Sequence, residues 1–378
     1  MQYLKVLSIL VALLVTISCS QLNKASDYIT NPSAKVIYKR DFNVSDSLFR
    51  LWENQVELAL QDSVQVEVPY QEKGLFLPRT FPVYSYEVDL APGELFKLKI
   101  KTDSLKELVF IDMYRETGDS INRYKKVESA SFGEKTFNFE AESEGKYKVV
   151  LQPAIEAHSA FLLKMTKAPV YTFPVASGRN ESIQSFWGDQ RDGGARNHEG
   201  IDIFANRGTP VLAATSGRIT YTGEKGLGGK QVWLRDSRRG QSLYYAHLDS
   251  INPLPGSVKA GDTLGFVGNT GNARTTPPHL HFGIYRNFEG AINPLKYVFQ
   301  PKNIESEEEL TSAIPHKILT TAVRANLRNK PTTSNSRIIG SSKASDTLNI
   351  LGKSNDWYHV RTPQKKASFI HQSLVTPI

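Results

Sequence analysis

Glycine is concentrated in one part of this 378-residue chain, and that concentration constrains its fold more than any other feature. Seventeen of the 26 glycines lie between residues 193 and 290. Between them stand short apolar runs, such as Gly208-Thr-Pro-Val-Leu-Ala-Ala and Gly261-Asp-Thr-Leu-Gly-Phe-Val-Gly. Short apolar runs cut by turn residues are typical of β-strands joined by tight hairpins. The sequence therefore predicts an antiparallel β domain over residues 170–300.

Half of the eight histidines fall in this region. His198 stands four residues before Asp202, and the string begins His-Glu, as in zincin peptidases, whose H-E-x-x-H motif needs a helix and a second histidine. Here Asp202 takes that second position, Gly200 lies inside the motif, and an isoleucine stands on each side of Asp202. A strand beginning near Gly200 is therefore favoured over a helix, and Glu199 is not assigned as a general base.

A second pair, His279-Leu-His281, has a spacing of two. Residues two apart on a strand project from the same face, so both imidazoles share one side while Leu280 packs into the core. Two adjacent imidazoles are unfavourable in a purely structural role, but they suit a site where one ligates a metal and the other stands beside the metal-bound water. A His/Asp/His set fits zinc with one open position, as in catalytic sites. The single cysteine excludes an intramolecular disulfide and a Cys-cluster zinc site.

Three separated motifs together resemble the signature of the LytM/lysostaphin-type (M23) zinc endopeptidases: His198-x-x-x-Asp202, Tyr245-Ala-His247-Leu and His279-Leu-His281. Four further pieces match in the family's order: Gly208-Thr-Pro-Val, Gly217-Arg-Ile, Val258-Lys-Ala-Gly-Asp-Thr-Leu-Gly and Val267-Gly-Asn-Thr-Gly. The resemblance implies that His198, Asp202 and His281 bind one Zn²⁺ per chain. It also implies that His247 and His279 flank the water and the oxyanion, and that the substrates are peptides of bacterial peptidoglycan.

The N-terminus resembles a bacterial lipoprotein signal. Met1 to Lys5 form a short basic region, residues 6–17 are an apolar run, and Cys19 follows Ser18. The run is too short to span a bilayer, which needs about 20 helical residues. We expect removal of residues 1–18, lipidation of Cys19 and anchoring in the cell envelope, with the outer membrane, facing the periplasm, as the expected site. A plain secretory signal with an unused thiol is the alternative. In a Gram-negative envelope, the resemblance to M23 enzymes implies D-alanyl cross-links as substrate rather than glycine bridges.

Composition divides the rest of the chain. Residues 19–44 are polar and are predicted to be a tether, whereas residues 45–168 predict one amphipathic helix followed by a β-sandwich accessory domain. Its one histidine, His158, is interpreted as a surface or core residue rather than a ligand. Residues 301–315 contain Glu305-Ser-Glu-Glu-Glu and are predicted to be an acidic linker. The predicted fold class is mainly β and multi-domain, with an N-terminal β-sandwich, a central antiparallel LytM-type domain and a C-terminal SH3-like barrel.

Residues 316–378 resemble a bacterial SH3 domain. The resemblance rests on Ala325-Asn-Leu-Arg-Asn-Lys-Pro, Arg337-Ile-Ile-Gly, Leu348-Asn-Ile-Leu-Gly and Asp356-Trp-Tyr-His-Val-Arg. Ala367-Ser-Phe-Ile replaces the usual Gly-Trp-Val, and Trp357 is either a binding or a core residue. Residues 313–378 hold ten Lys/Arg and two Asp/Glu, a formal charge of +8 that suits an anionic polymer. An exported protein seldom meets nucleic acid, so peptidoglycan is the expected partner, and binding it would hold an enzyme on its substrate.

Three alternatives stay open. A non-catalytic LytM-type regulator would act on other cell-wall enzymes, although the complete His198, Asp202 and His281 set argues against it. A wall-binding anchor with structural zinc would not need His247 and His279 beside the metal. A latent enzyme, with residues 45–166 covering the cleft, is the third.

Overall fold

The computed structural model describes residues 26–119, 123–253, 255–302, 310 and 314–378. It is mainly β, which confirms the predicted fold class. The signal sequence, Cys19 and most of the acidic linker lie outside the described residues. Within the described part of the chain, no helix is both long and apolar enough to cross a membrane.

A helical cap precedes the first strand. It contains α1 (Ala34–Asp41), α2 (Asp46–Glu53) and α3 (Gln55–Leu60). The structure therefore differs from the tether predicted over 19–44, because α1 begins at a Ser33 cap and buries Tyr38 against Trp52, with ring centroids 5.5 Å apart. The single helix predicted after residue 45 is two short helices that meet at Asn54.

The accessory domain is a β-sandwich of eight strands. They are β1 (Tyr70–Phe76), β2 (Tyr84–Leu90), β3 (Glu94–Thr102), β4 (Val109–Glu116), β5 (Tyr124–Ser129), β6 (Thr136–Glu140), β7 (Gly145–Pro153) and β8 (Ser159–Pro169). One sheet has the order β1-β8-β3-β6 and the other β2-β7-β4-β5. Alternate apolar side chains of both sheets fill the shared core.

The central domain is built on one antiparallel sheet. Its strands are β9 (Ile183–Ser185), β10 (Gln190–Arg191), β11 (Arg196–Asn197), β12 (Ile201–Phe204), β13 (Pro210–Leu212), β14 (Gly217–Glu224), β15 (Lys230–Asp236), β16 (Gln241–Ile251), β17 (Ser257–Val258), β18 (Thr263–Val267), β19 (His279–Arg286) and β20 (Gly290–Ile292), followed by the one-turn helix α4 (Leu295–Val298). The main path of the sheet is β17-β14-β15-β16-β19-β12-β9, and β10 and β11 form a separate hairpin. The apolar residues pack on one face of this sheet.

The C-terminal domain comprises β21 (Lys317–Thr320), β22 (Arg324–Arg328), β23 (Ile338–Lys343), β24 (Thr347–Ser354), β25 (Trp357–Arg361), β26 (Ala367–His371) and β27 (Val375–Pro377). Strand β24 pairs with β1, so this domain and the sandwich share a sheet. Trp357 is 9% exposed and packs in the core of the sandwich, which answers the question left open by the sequence. Nδ1 of the fully buried His359 lies 3.0 Å from Oε1 of the equally buried Glu72.

Candidate active site

Two neighbouring strands of the central sheet place the first two site residues. Strand β12 pairs with β19 so that Asp202 lies directly opposite His281. On the other face of these strands, Ile201, Ile203 and Leu280 are fully buried. The alternation expected of a strand therefore holds, because the polar side chains face one side of the sheet while the aliphatic ones fill the core.

His198 reaches the same point from the loop before β12. Its Nε2 lies 3.0 Å from Oδ1 of Asp202 and 3.0 Å from Nδ1 of His281. Nδ1 of His281 in turn lies 3.1 Å from the same Asp202 oxygen. Gly200 permits this approach, since a Cβ there would lie 2.7 Å from the His281 ring. Three potential ligand atoms thus converge on one point.

The hydrogen bonds of His198 show that these atoms suit a metal ion. Its Nδ1 lies 2.8 Å from the carbonyl oxygen of Phe186, which can only accept, so Nδ1 carries the proton and Nε2 a lone pair. That lone pair faces a carboxylate oxygen, and such atoms repel each other unless a proton or a cation lies between them. In a tetrahedral zinc site with bonds of about 2.0–2.1 Å, ligand atoms lie about 3.3 Å apart, close to the spacing seen here.

The charge states of the site also fit a cation. Burial acts to raise the pKa of Asp202, but the contacts with His198 and His281 outweigh it and hold that pKa well below its ordinary value. Burial lowers the pKa of His281 despite the opposing effect of Asp202. At neutral pH the site therefore offers an ionised carboxylate and a neutral imidazole, which are the forms that bind metals.

Comparisons with known proteins agree with this geometry. Residues 196–294 match the model of Peptidase family M23, and residues 323–376 match that of the Bacterial SH3 domain. The chain contains an M23 peptidase domain. The chain is 37% identical over 138 residues to the DD-carboxypeptidase/endopeptidase Mpg of Neisseria meningitidis, covering 36% of this chain and 31% of that protein.

Two further relatives are similar to this chain over stretches of comparable length. The L-Ala–D-Glu endopeptidase of Bacillus subtilis is 36% identical over 126 residues, covering 31% of this chain and 38% of that protein. Lysostaphin of Staphylococcus staphylolyticus is 35% identical over 137 residues, covering 36% of this chain and 25% of that protein. The chain thus spans only about a quarter to two fifths of the length of these curated relatives.

Two more imidazoles of the M23 domain stand beside the convergent atoms. His247 and His279 have ring centroids 5.1 Å apart, and Nε2 of His279 lies 3.9 Å from Oδ1 of Asp202. Nδ1 of His247 lies 2.9 Å from the carbonyl oxygen of Thr270, and Nδ1 of His279 lies 2.9 Å from that of Pro277. Both Nδ1 atoms therefore donate to backbone, which leaves each Nε2 free to exchange a proton.

His247 has an unusual backbone. Its φ is +64°, which is rare for a residue other than glycine and typical of strained functional positions. Nearby, the pairing of β16 with β18 shifts register between Leu248 and Ser250. Burial, together with the neighbouring His281 and His279, lowers the pKa of His247 to about 4, so this imidazole is neutral at pH 7.

All five residues named from the sequence line one cleft of about 640 Å³. Among the residues that the structure describes, those lining it fall between 185 and 285, and none comes from the accessory domain. His158, the histidine of the accessory domain, is exposed and is not among the residues that line the cleft. Cys19 lies outside the described residues.

The sequence did not indicate the role of Arg191. This residue of β10 donates from one guanidinium nitrogen to Oδ2 of Asp202 at 2.9 Å and also to the hydroxyl of Ser185. It therefore holds the carboxylate oxygen that does not face His198 and His281. Its position in a glycine-rich hairpin just before His198 is a weak signal, and no spacing rule connects the two.

Proposed function

We propose that this chain is a zinc-dependent peptidoglycan endopeptidase that hydrolyses peptide cross-links, in particular D-alanyl cross-links. The main support is the convergence of Nε2 of His198, Oδ1 of Asp202 and Nδ1 of His281 within 3.0–3.1 Å of one another. Two further imidazoles with free Nε2 atoms stand beside that point, which a purely structural metal site would not need.

The residues divide the chemistry among them. His198, Asp202 and His281 would hold the zinc ion, which when bound polarises a scissile carbonyl and lowers the pKa of water to about 7. His247 and His279 lie where Nε2 of one can accept a proton from the attacking water. The other, once protonated, can stabilise the oxyanion or protonate the leaving amine. Nδ1 of each histidine makes the same kind of contact with a backbone carbonyl, so these contacts do not distinguish the proton acceptor from the proton donor.

Peptidoglycan is supported as the substrate by the M23 relatives. Mpg and the Bacillus enzyme are named for different peptide bonds, so the bond cleaved here has to be measured. Among the described residues, all those that line the cleft belong to the M23 domain, and none belongs to the accessory domain. That arrangement favours an enzyme that is open to its substrate over a latent one.

The decisive test uses a chain starting at Ser20 and purified Gram-negative sacculi, with muropeptides identified by mass spectrometry. We expect cross-linked dimers to disappear and monomers to accumulate, and we expect chelation or His281→Ala to abolish both changes. His158→Ala changes an exposed histidine that does not line the cleft; it is the matched control and should behave as the wild type. Unchanged profiles from a folded, zinc-loaded chain would favour the regulator or the latent enzyme.

We also propose that Cys19 is lipidated and anchors the protein to the outer membrane, facing the periplasm. Two or more acyl chains are needed for stable anchoring, as in bacterial lipoproteins. Labelled palmitate should enter the wild-type protein and not Cys19→Ala, and membrane fractionation should place the label with outer-membrane markers. Label in inner-membrane fractions, or none at all, would contradict the proposal.

The SH3 domain is proposed to bind peptidoglycan through its positive charge. Exposed cations there include Arg324, Lys343, Lys365 and Lys366. Binding to sacculi, measured by pelleting, should weaken as salt increases and should weaken further in a Lys365→Glu/Lys366→Glu variant. Other cell-wall enzymes remain candidate partners, and capture of one by this domain without sacculus binding would favour the regulatory alternative.

A further inference from the structure

Four aromatic side chains form a continuous surface on the sheet of the M23 domain. We call this surface the aromatic platform; it consists of Tyr221, Trp233, Tyr244 and Tyr285. Tyr221 of β14 pairs with Trp233 of β15, which in turn pairs with Tyr244 of β16. The Trp233 ring lies 4.5 Å from that of Tyr244 and 5.1 Å from that of Tyr285.

The platform is continuous with the catalytic cleft. Tyr244 and Tyr285 line the cleft, and the ring of Tyr244 lies 5.6 Å from that of His281. Tyr285 stands four residues after His281 on β19, so both side chains face the same side of the sheet. A substrate bound at the metal site would therefore extend directly onto the platform.

These rings are not needed to fill the core. The core lies on the opposite face, where Val232, Leu234 and Tyr245 are fully buried. Tyr221 is 38% exposed, and the other three platform residues are partly exposed. Between Tyr244 and Tyr285 the sheet carries Gly283, which pairs with Tyr244. A Cβ at this position would lie 3.1 Å from the Tyr285 ring, so the absence of a side chain lets that ring pack close to the sheet. The four partly exposed rings therefore form an aromatic surface that faces away from the core.

The chemistry of the platform suits a sugar ring. The faces of aromatic rings are electronegative, so they attract the weakly positive C–H groups that cover one face of a pyranose. Polar groups stand at the edge: the Tyr285 hydroxyl lies 3.3 Å from a carboxylate oxygen of Glu199. A second polar edge is formed by Arg235, which donates to Ser242 and Asn287, each at 3.2 Å. Such groups can bind the hydroxyl and amide groups at a sugar's rim.

We propose that the aromatic platform binds N-acetylated pyranose rings of the peptidoglycan glycan strand and so presents the attached peptide to the metal site. The proposal deepens the endopeptidase function and rests on it for the nature of the substrate. The ring centroids of His281 and Tyr244 lie 5.6 Å apart, and those of Tyr244 and Trp233 lie 4.5 Å apart. An extended peptide advances about 3.3–3.6 Å per residue, so the platform lies within about three residues of the metal site, near the sugar end of a stem peptide.

The test measures sugar binding without any cleavable bond. Binding of chitotetraose, a β-1,4-linked tetramer of N-acetylglucosamine, to the full chain from Ser20 is followed by calorimetry. We expect Trp233→Ala to weaken binding by about tenfold or more, because stacking on the ring is lost. Trp233→Phe, which keeps a ring, should retain most of the affinity. Tyr28→Ala removes a 93% exposed aromatic near the N-terminus, outside the M23 domain, and should have no effect.

Other outcomes separate this proposal from the enzyme function. Tyr221→Ala, at the exposed end of the platform, gives a second variant that is independent of any folding defect in Trp233→Ala, and it should also weaken binding. Sugar binding with no cleavage of sacculi would support the platform and contradict the endopeptidase. Cleavage without chitotetraose binding, or equal binding by wild type and both platform variants, would overturn the platform proposal. If these variants lost binding to a sugar-free stem tetrapeptide but kept binding to chitotetraose, the proposal would also be overturned, and the platform would be a peptide subsite.

Discussion

At the scale of single residues, the site depends on contacts that fix the orientation of each ring and carboxylate. Three of the four cleft imidazoles donate Nδ1–H to a backbone carbonyl, those of Phe186, Thr270 and Pro277. Each such contact selects the tautomer in which Nε2 carries the lone pair. The backbone of two loops, one between β9 and β10 and one between β18 and β19, thus determines which atom of each ring is available for chemistry.

Arg191 should act on metal binding through Asp202. Arg191→Ala removes the donor to Oδ2 of Asp202, so the carboxylate can rotate away from His198 and His281. We expect zinc affinity, measured by competition with a chelator, to fall by about 10–100-fold, as is typical when a partner of a metal ligand is lost. Excess zinc should restore activity. Arg207→Ala, which breaks an exposed pair with Asp249, is the control, and equal affinities in the two variants would contradict the role.

His281 and His279 should have separable effects although they are two residues apart. Nδ1 of His281 lies 3.1 Å from Oδ1 of Asp202, whereas Nε2 of His279 lies 3.9 Å from it. His281→Ala should therefore lose the zinc measured by elemental analysis. His279→Ala should keep about one zinc per chain and lose activity by about 10²–10⁴-fold, as for a proton-transfer group. Loss of zinc from both variants would show that His279 is itself a ligand.

At the scale of strands and loops, the sequence predicted which face of a strand a side chain occupies better than it predicted which strands pair with each other. A spacing of two put His279 and His281 on one face, and the isoleucines around Asp202 put that carboxylate opposite the core. The pairing of Asp202 with His281 joins residues 79 positions apart, and no local pattern specifies it. Helix α1 was missed for the same reason, since a short helix is stabilised by tertiary contacts, here Tyr38 with Trp52 and Phe110.

Gly200 allows β12 and β19 to bring the ligands together. A methyl group at this position would lie 2.7 Å from both the His281 ring and the carbonyl oxygen of Phe282. Gly200→Ala should therefore lower the free energy of unfolding by about 1–3 kcal/mol, as overpacking does, and weaken zinc binding. Gly256→Ala is the matched control, because a Cβ there has no neighbour within 4 Å. Thermal denaturation and chelator competition would measure both effects, and equal behaviour of the two variants would contradict the argument.

At the scale of the whole molecule, the accessory sandwich connects the other two domains. The guanidinium of Arg239 in the M23 domain donates to both carboxylate oxygens of Glu140, at 2.6 and 3.0 Å. On the other side, β1 pairs with β24 of the SH3 domain, and Glu72 meets His359. The sequence motifs delimit the M23 and SH3 regions, but they carry no information about these contacts, which lie between segments far apart in the chain.

The SH3 domain should depend on the sandwich for its stability. Leu351, Trp357 and Phe369 are buried in the core of the sandwich, and each would lose about 1.5–3 kcal/mol of burial free energy in a separate domain. Residues 314–378 produced alone should therefore be largely unfolded or aggregated, as judged by circular dichroism and size-exclusion chromatography. Co-production with residues 26–169 should restore a soluble complex, because the β1–β24 pairing and the Glu72–His359 contact re-form. His359→Ala should weaken that complex, whereas Lys343→Ala, which changes an exposed side chain of the same domain, should not. A fragment 314–378 that folds alone with the stability it has in the full chain would show that the shared core is incidental.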